Sequence, residues 1–213
     1  MTTAAAIVFV IDDDQSVRKS LRRLLDAANY KTELFNSASE FLSRSAHPGP
    51  SCIIIDVRMP GLTGIDLQKI IIESGREEQL IFITAHGDIP MCAQAMKAGA
   101  VDFLPKPFKP KQLLESVERA LSRSAEKLRR SSERNHARAL LQQLTPREYE
   151  VMRLVATGLL NKQVGGELGM AEKTVKTHRA HVMQKLRITS VAELMVVLQK
   201  AEVTLPIRPG TKV

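Results

Sequence analysis

Residues 52–64 read CIIIDVRMPGLTG, and this stretch decides the fold of the first half of the chain. Cys52 to Ile55 form an apolar, β-branched run of the kind found in strands that are buried on both faces, as in parallel sheets covered by helices. The run ends in Asp56, and Met59-Pro60-Gly61 predicts a loop before the next helix. In open α/β sheets, ligands bind at the carboxyl ends of the strands. The sequence therefore places the Asp56 carboxylate on a rigid strand, facing a crevice.

Strand-like and helix-like segments alternate on both sides of this stretch, over about the first half of the chain. Five β-α units in succession indicate a doubly wound parallel sheet with right-handed crossovers. Asp14 is the expected N-cap of the first helix. The predicted strands are 7–11, 31–35, 52–55, 80–83 and 101–104, and the predicted helices are 15–28, 38–44, 65–74, 89–98 and one from residue 110 onward.

The second half of the chain has a helical pattern throughout. Residues 111–141 contain no proline or glycine, which predicts a long helical linker, with a short coiled-coil contact as an alternative. Capping boxes are expected at Thr145 and Ser190, and Asn161 is the expected cap of a short helix. That helix and a longer one at 172–186 are joined by a glycine-containing turn, which indicates a helix-turn-helix.

We therefore predict two domains, the first at 1–122 and the second at 141–206, with a helical linker at 123–140 and a flexible tail at 207–213. The first is α/β and the second consists of four helices. At 213 residues the chain suits two domains better than one.

Composition narrows the class of protein further. No apolar segment approaches the roughly 18–20 residues of a membrane span, and the first residues lack the layout of a signal peptide, so we expect a cytosolic location and no membrane partner. Cys52 and Cys92 fall inside a predicted strand and a predicted helix, outside any CxxC motif. Buried free thiols are therefore expected, in place of a redox or metal site.

Polar residues follow other predicted strands in the way that Asp56 follows the third. Asp12 and Asp13 follow the first strand, Thr84 ends the fourth, and Lys106 follows the fifth. Taken singly, these residues have ordinary interpretations as a helix cap, a strand residue and a loop lysine. Because the carboxyl ends of parallel strands share one edge, the set converges on one crevice. Three carboxylates there would repel one another without a divalent cation among them, and their hard oxygen ligands favour Mg²⁺.

Phosphoryl transfer to a carboxylate is the chemistry that needs this set of residues. The metal and Lys106 would neutralise charge on the transferred group, so that Asp56 can attack in line as the nucleophile. The Thr84 hydroxyl would then donate to a phosphoryl oxygen, and Phe103 could fill the space that Thr84 leaves behind when it is pulled inward.

The segments VFVIDDD (8–14), CIIIDVRMPGLTG (52–64) and FITAHGDIPMCAQAMKAGAVDFLPKPF (82–108) resemble the receiver domain of two-component response regulators. The resemblance extends from residue 7 to about residue 122 and implies a flavodoxin-like sheet of five strands in the order 2-1-3-4-5. It also implies that Asp56 is the phospho-acceptor, that Thr84 and Phe103 are the switch pair, and that Lys106 contacts the phosphoryl group before a cis Pro107. Phe103 stands where many relatives have Tyr, so no hydroxyl contact can form there.

The same resemblance implies a set of metal ligands. Asp13, Asp56 and the backbone carbonyl of Arg58 would bind Mg²⁺ directly, and Asp12 would bind it through water.

The basic charge of the chain lies in its second half. Residues 1–124 are net neutral, residues 125–139 carry a net charge of +3, and residues 140–213 carry +5. This excess is typical of nucleic-acid binding, although a basic solvated surface would look the same. The helix at 172–186 is predicted to bury Val175, Val182 and Leu186 and to present a polar, basic face, as a recognition helix in a major groove does. The predicted DNA contacts are Lys173, Thr174, Lys176, Thr177, Arg179, His181 and Lys185.

Within this set we expect Lys176, Arg179 and Lys185 to contact phosphates, and Lys173 and Thr177 to contact base edges.

The run from Leu144 to Ile188, LTPREYEVMRLVATGLLNKQVGGELGMAEKTVKTHRAHVMQKLRI, resembles the LuxR-type helix-turn-helix of the FixJ/NarL group of response regulators. Gly165 and Gly166 depart from the usual pattern, at a propensity cost of up to ~1 kcal/mol each. Ala171 stands where relatives usually have a Ser or Thr N-cap, a loss of about 0.5–2 kcal/mol. Ala180 offers no polar group at a position often used to contact DNA.

Together the two resemblances imply a transcriptional regulator that is activated by phosphorylation and is not an enzyme. A sensor histidine kinase would phosphorylate Asp56, a homodimer would then bind paired half-sites in promoter DNA, and transcription would be activated. RNA polymerase is a further candidate partner.

Two other classes of function stay open on the sequence alone. One is a Mg²⁺-dependent phosphatase, which usually needs a second carboxylate two residues after the nucleophile, where this chain has Arg58. The other is a constitutive DNA-binding protein whose first domain only dimerises.

Overall fold

The computed structural model describes residues 4–85 and 89–205, in which strands and helices alternate before the chain becomes entirely helical. The strands are β1 (Ile7–Ile11), β2 (Lys31–Phe35), β3 (Ser51–Asp56), β4 (Gln79–Thr84) and β5 (Asp102–Pro105). The helices are α1 (Gln15–Ala27), α2 (Ala38–Leu42), α3 (Gly64–Glu73), α4 (Ile89–Lys97), α5 (Pro110–Leu141), α6 (Pro146–Ala156), α7 (Asn161–Leu168), α8 (Glu172–Leu186) and α9 (Val191–Ala201).

The chain divides into two compact units between Leu128 and Arg129, within helix α5. The limits proposed above for the domains and the linker stay predictions. The predicted tail, 207–213, lies outside the described residues, as does residue 206 at the end of the second predicted domain.

The sheet of the first unit confirms the predicted fold class. Its strands are all parallel and lie in the order β2-β1-β3-β4-β5. Ile11 is paired with Ile55, and Asp56 with Ile83. Because of this register, the residues that end or follow the three central strands lie at the same edge of the sheet.

Strand β3 is buried on both faces, as its continuous apolar run predicts. Cys52 to Ile55 are completely buried. The odd-numbered residues of this run pack in one hydrophobic cluster with Leu67 of α3, and the even-numbered residues pack in a second cluster with Leu113 and Val117 of α5. Helices therefore cover both faces of the sheet, and Asp56 is held at the end of a strand that is buried on both faces.

The second unit is built around a separate hydrophobic cluster. Val175, Val182 and Leu186 of α8 are buried in it, as their spacing predicts, together with residues of α6, α7 and α9. Helix α7 ends at Gly169 in the left-handed conformation, with φ at 65°, and a short turn leads into α8. These two helices form the predicted helix-turn-helix.

Two of the predicted helix caps are confirmed. The Asp14 side chain accepts a hydrogen bond from Ser16 N at the start of α1. Thr145 and Glu148 form a reciprocal capping box at the start of α6, with Pro146 as the first helical residue. The predicted box at Ser190 forms only in part: Ser190 accepts from Glu193 N, but the Glu193 carboxylate accepts from Thr189 N.

The prediction that Asn161 caps α7 was wrong. Asn161 is the first residue inside the helix, and the N-cap is Leu160, whose side chain makes no cap hydrogen bond. The backbone N–H of Leu160 donates to the side chain of Gln163, at 2.9 Å. Ala171 is the N-cap of α8, also without a side-chain bond. Both helices of the helix-turn-helix therefore begin without a side-chain N-cap.

The two adjacent glycines of α7 differ in their surroundings. A Cβ on Gly165 would lie 2.6 Å from the carbonyl oxygen of Met170, whereas a Cβ on Gly166 would meet no atom within 4 Å. The close approach of α7 to the turn after it therefore requires Gly165. The predicted propensity cost is offset by packing at Gly165, and at Gly166 it is not.

The cysteines are both free, but only one of them is a fully buried thiol. Cys52 is completely buried in the sheet, and this burial raises the pKa of its thiol well above the usual value. Cys92 on α4 is only partly buried, so the expectation of two buried thiols holds for Cys52 alone.

Candidate functional site

Asp56 is the last residue of β3 and reaches the carboxyl edge of the sheet. Its side chain is partly buried, and its two oxygens have different partners. Oδ1 accepts a hydrogen bond from Arg58 N at 3.3 Å, and Oδ2 accepts one from Lys106 Nζ at 3.0 Å. The carboxylate is thus oriented by groups on both sides of it, while the Arg58 side chain is exposed.

Asp12 and Asp13 follow β1 at the same edge of the sheet. Asp12 is only 1% exposed, and Asp13 is exposed. Burial raises the pKa of Asp12, and hydrogen bonds from Lys106 and from the backbone of Asp14 oppose that rise. A raised pKa in a buried carboxyl group indicates a site that would favour a nearby cation.

The three carboxylates are arranged so that one metal ion could be bound by all of them. One ligand oxygen from each of Asp12, Asp13 and Asp56 lies within 4.8 Å of the others. Octahedral Mg²⁺, with bonds of about 2.1 Å, spaces its ligand oxygens about 3–4 Å apart. A small inward movement of these side chains would therefore suit a hard divalent cation such as Mg²⁺.

Lys106 lies between two of the carboxylates. Its Nζ is 3.0 Å from Asp12 Oδ2 and 3.0 Å from Asp56 Oδ2. Its backbone N–H donates to the carbonyl of Thr84, and the Lys106–Pro107 peptide bond is cis, as the resemblance implied. Burial alone would lower the pKa of Lys106, but its hydrogen bonds to the two carboxylates outweigh burial and raise that pKa. Lys106 is therefore a fixed cation at the centre of the site.

Thr84 lies on β4, the strand next to β3, and Phe103 lies on β5, the edge strand beyond β4. Thr84 ends β4 and is 1% exposed, while Phe103 on the edge strand β5 is partly buried. The Phe103 ring packs against Phe82, with 6.1 Å between the ring centroids. The structure thus places a hydroxyl at the end of β4 and an aromatic ring on the neighbouring strand β5, two positions further back in the register.

Gly64 belongs to this site although its role was not predicted. It is the first residue of α3, and a Cβ there would lie 2.7 Å from the carbonyl oxygen of Asp56. Gly64 N also donates to the carbonyl of Val57 at 3.0 Å. Only a glycine lets α3 start this close to the end of β3. The signal in the sequence was Gly64 itself, a second glycine three residues after Gly61, at the start of the predicted helix.

The second unit carries the predicted DNA contacts on α8. Lys173, Thr174, Lys176 and Thr177 are exposed, and His181 is exposed nearer the end of the helix. The Thr177 hydroxyl donates to the carbonyl of Lys173 within the helix. The exposed polar face that the sequence predicts is therefore present.

Two of the predicted phosphate contacts already have partners inside the protein. Arg179 Nη1 donates to Asn161 Oδ1 at 3.2 Å. Lys185 Nζ lies 2.6 Å from Glu148 Oε2, and His181 Nδ1 lies 3.6 Å from the other oxygen of that carboxylate. Glu148 is 4% exposed, and the hydrogen bond from Lys185 lowers its pKa. Glu148 was not predicted to contact α8, because its capping role alone explained the presence of a glutamate there.

The fold defines two classes of domain in one chain, a doubly wound α/β domain with clustered carboxylates and a helix-turn-helix, and family comparisons identify both. Residues 8–118 match the response regulator receiver domain, and residues 142–198 match bacterial regulatory proteins of the luxR family. The chain belongs to the two-component response regulators that regulate transcription through a LuxR-type DNA-binding domain.

Similar proteins support the same assignment. Nodulation protein W of Bradyrhizobium diazoefficiens is 48% identical over 192 residues, which are 89% of this chain and 84% of that protein. Response regulator protein TodT of Pseudomonas putida is 37% identical over 200 residues, covering 94% of this chain and 88% of that protein.

Two solved structures match more than nine tenths of this chain. The response regulator StyR is 46% identical, with a TM-score of 0.82, covering 92% of this chain and 100% of that one. Full-length FixJ from B. japonicum is 36% identical, with a TM-score of 0.54, covering 94% of this chain and 98% of that one. Among the described residues, no helix has the length and apolar character that crossing a membrane requires.

Proposed function

We propose that Asp56 accepts a phosphoryl group from a sensor histidine kinase, and that this modification promotes dimerisation and binding to promoter DNA. The observation that carries the proposal is the position of Lys106 Nζ, 3.0 Å from both Asp12 and Asp56, at an edge where three carboxylates converge. A cation placed among acidic groups at the end of a buried strand suits transfer of an anionic group to one of them.

The transfer step makes one bond and breaks one. An oxygen of Asp56 attacks the phosphorus of a phosphohistidine, the phosphorus–nitrogen bond breaks, and the imidazole nitrogen keeps the electron pair. The product is an acyl phosphate on Asp56. Lys106 balances the charge of the incoming group, and the Thr84 hydroxyl donates to a phosphoryl oxygen once the group is attached.

Asp12, Asp13, Asp56 and the backbone carbonyl of Arg58 would hold Mg²⁺ in this scheme. When bound, Mg²⁺ supplies charge neutralisation on the phosphoryl oxygens. Phe103 completes the switch by filling the space next to Thr84. The donor set supports this assignment, since carboxylate and carbonyl oxygens are the ligands that Mg²⁺ prefers.

The second unit would bind double-stranded promoter DNA through α8, as a homodimer on half-sites about 34–36 Å apart. Its exposed contacts would be Lys173, Thr174, Lys176 and Thr177. We place the protein in the cytoplasm because its DNA partner is there, and we keep RNA polymerase as a candidate partner for an activator.

Incubation with acetyl phosphate and Mg²⁺, followed by intact-mass spectrometry, tests the proposal. We expect about one phosphoryl group per chain and none on Asp56→Asn. Many turnovers of the donor per chain would indicate a phosphatase instead. Equal DNA affinity of wild type and Asp56→Asn, with and without the donor, would indicate a constitutive DNA-binding protein.

A further inference from the structure

Asn161 uses its side chain to contact the next helix and does not cap its own. It is the first residue of α7, and the exposed Leu160 takes the N-cap position. Asn161 Oδ1 accepts a hydrogen bond from Arg179 Nη1 of α8, a residue 18 positions further along the chain. The side chains thus join the two helices of the helix-turn-helix directly.

This bond fixes Arg179 without neutralising it. A carboxamide carries no charge, and one hydrogen bond uses one of the five N–H donors of a guanidinium group. Arg179 therefore keeps its charge and most of its donors for an anion. Lys185 on the same helix is in the opposite situation, because its ammonium lies 2.6 Å from the Glu148 carboxylate, which compensates its charge.

The position of Arg179 suits a phosphate of the DNA backbone. It is held at the first residue of α7, where the backbone N–H groups and the helix dipole also favour an anion. In helix-turn-helix proteins the first helix crosses the DNA backbone while the second enters the major groove. A long side chain loses rotamer entropy when a ligand fixes it. Because Arg179 is already partly buried and hydrogen-bonded in the protein, it loses less of this entropy on binding a phosphate.

We propose that Asn161 is a positioning residue of the DNA interface, which holds the Arg179 guanidinium at the start of α7 as a preorganised phosphate contact. This inference rests on the proposed binding of DNA by the second unit. It assigns different roles to two of the predicted phosphate contacts. Arg179 binds the backbone, whereas Lys185 serves mainly to compensate Glu148.

A double-mutant cycle in the full-length chain tests this role. The variants are Asn161→Ala, Arg179→Ala, the double variant and Lys185→Ala, with Arg147→Ala as a control because Arg147 is an exposed arginine on α6, outside the helix-turn-helix. The probe is a fluorescent duplex of random sequence, since phosphate contacts do not depend on the base sequence. The dissociation constant is measured at several salt concentrations, and circular dichroism checks that each variant is folded.

We expect Arg179→Ala to reduce the slope of log affinity against log salt by about 0.9, the value for one phosphate contact. Asn161→Ala should weaken binding about two- to tenfold when Arg179 is present and leave it unchanged when Arg179 is absent. Lys185→Ala should change the salt slope less than Arg179→Ala does.

An equal loss from Asn161→Ala in both backgrounds would overturn the inference, since it would mean that α7 is merely destabilised. An unchanged salt slope in Arg179→Ala would overturn it as well, while leaving DNA binding by the protein intact. Failure of the wild-type chain to bind any duplex would refute both the inference and the proposed DNA-binding function.

Discussion

Lys106 controls the charge balance of the carboxylate site. Its ammonium lies 3.0 Å from two of the three clustered carboxylates, so it competes with a divalent cation for the same carboxylates. We expect Lys106→Ala to tighten Mg²⁺ binding, because a nearby positive charge is removed, and to slow labelling of Asp56 by acetyl phosphate. Calorimetric titration with Mg²⁺ and time-resolved intact-mass spectrometry measure the two effects.

Lys109→Ala provides the matched control, since Lys109 is an exposed lysine three residues further on. It should leave both Mg²⁺ affinity and labelling unchanged. If Lys106→Ala labelled as fast as the wild type, Lys106 would have no part in the transfer.

Gly165 and Gly166 give a second pair of matched substitutions. Gly166→Ala should stabilise the second unit by up to ~1 kcal/mol, because alanine is the better helix former and the new methyl group meets no atom within 4 Å. Gly165→Ala should destabilise it, since its Cβ would lie 2.6 Å from the Met170 carbonyl oxygen.

Urea unfolding followed by tyrosine fluorescence would measure this difference. The chain has two tyrosines, so in a Tyr30→Phe background Tyr149 reports on the second unit alone. Equal gains from both alanine substitutions would show that the close approach at Gly165 relaxes at no cost.

At this scale the sequence predicts residues whose position follows from the ends of strands. Asp12, Asp56 and Lys106 were identified because parallel strands share a carboxyl edge. The need for Gly64 and Gly165 was not predicted. At each of them a Cβ would lie within 3 Å of a carbonyl oxygen from another part of the backbone, and a single sequence does not show such distances.

The contact between α6 and α8 is an element-scale feature that depends on one carboxylate. Glu148 accepts from Thr145 N at 2.8 Å and from Lys185 Nζ at 2.6 Å, and His181 lies beside it. We expect Glu148→Gln to cost about 1–3 kcal/mol of unfolding free energy near neutral pH, since both partners lose a charged acceptor.

The pKa of Glu148 is lowered in the folded chain, chiefly by the hydrogen bond from Lys185, and this gives the effect a pH dependence. A lowered carboxyl pKa contributes stability that is complete above the unfolded pKa and is lost as the pH falls through the folded pKa. The difference between wild type and Glu148→Gln should therefore shrink in acid. The same Tyr149 measurement at several pH values checks this, and a difference that did not change with pH would contradict it.

The starts of helices show how far a pattern predicts an element. Asp14 and Thr145 were identified correctly because each is followed by a regular helical pattern. At α7, Asn161 was the only residue near the start with a good capping side chain, but the helix begins there and Leu160 takes the cap. The reason is tertiary: the Asn161 side chain bonds to Arg179, a contact that local preference does not contain.

The missing cap of α8 leads to a prediction about the same element. Ala171 already has the extended conformation of an N-cap, with φ at −63° and ψ at 143°. Ala171→Ser should therefore stabilise the second unit by about 0.5–2 kcal/mol, because the serine hydroxyl would accept from an N–H of the first turn. The Tyr149 unfolding assay measures the gain, and no change would mean that this N–H is already satisfied by water.

At the scale of the whole molecule, one helix of 32 residues, α5, belongs to both compact units. Within the first unit it is fixed to the sheet: the Ser124 hydroxyl accepts from Ser51 N at the start of β3, and Lys127 pairs with Glu77 at 3.0 Å. The sequence predicted this continuous helix from the lack of proline and glycine. The hydrogen bond between Ser51 and Ser124 could not be predicted, because a serine within a helix is usually interpreted as a solvated residue.

The net neutral first unit suits the proposed dimerisation, and the basic second unit suits the proposed binding of DNA. Neutral surfaces can associate without charge repulsion, and on the first unit the exposed apolar residues of α4 offer such a surface. Ile89 is 86% exposed and Met96 is 42% exposed. In the proposed function, the phosphoryl group would add a charge of about −1.5 to −2 on Asp56, which is paired with Ile83 near the end of β4. This charge would bias the position of α4, the next helix along the chain.

We therefore expect Ile89→Asp to prevent dimerisation of the phosphorylated chain while Asp56 is still labelled. Analytical ultracentrifugation with acetyl phosphate and Mg²⁺ measures the dimer, and mass spectrometry measures the label.

Ile72→Asp is the matched control, because Ile72 is an exposed isoleucine, 54% accessible, on α3 of the same unit. Since dimerisation raises affinity for paired half-sites, Ile89→Asp should also lose the gain in DNA binding on phosphorylation. If Ile72→Asp abolished the dimer and Ile89→Asp did not, the interface would lie on α3 instead of α4.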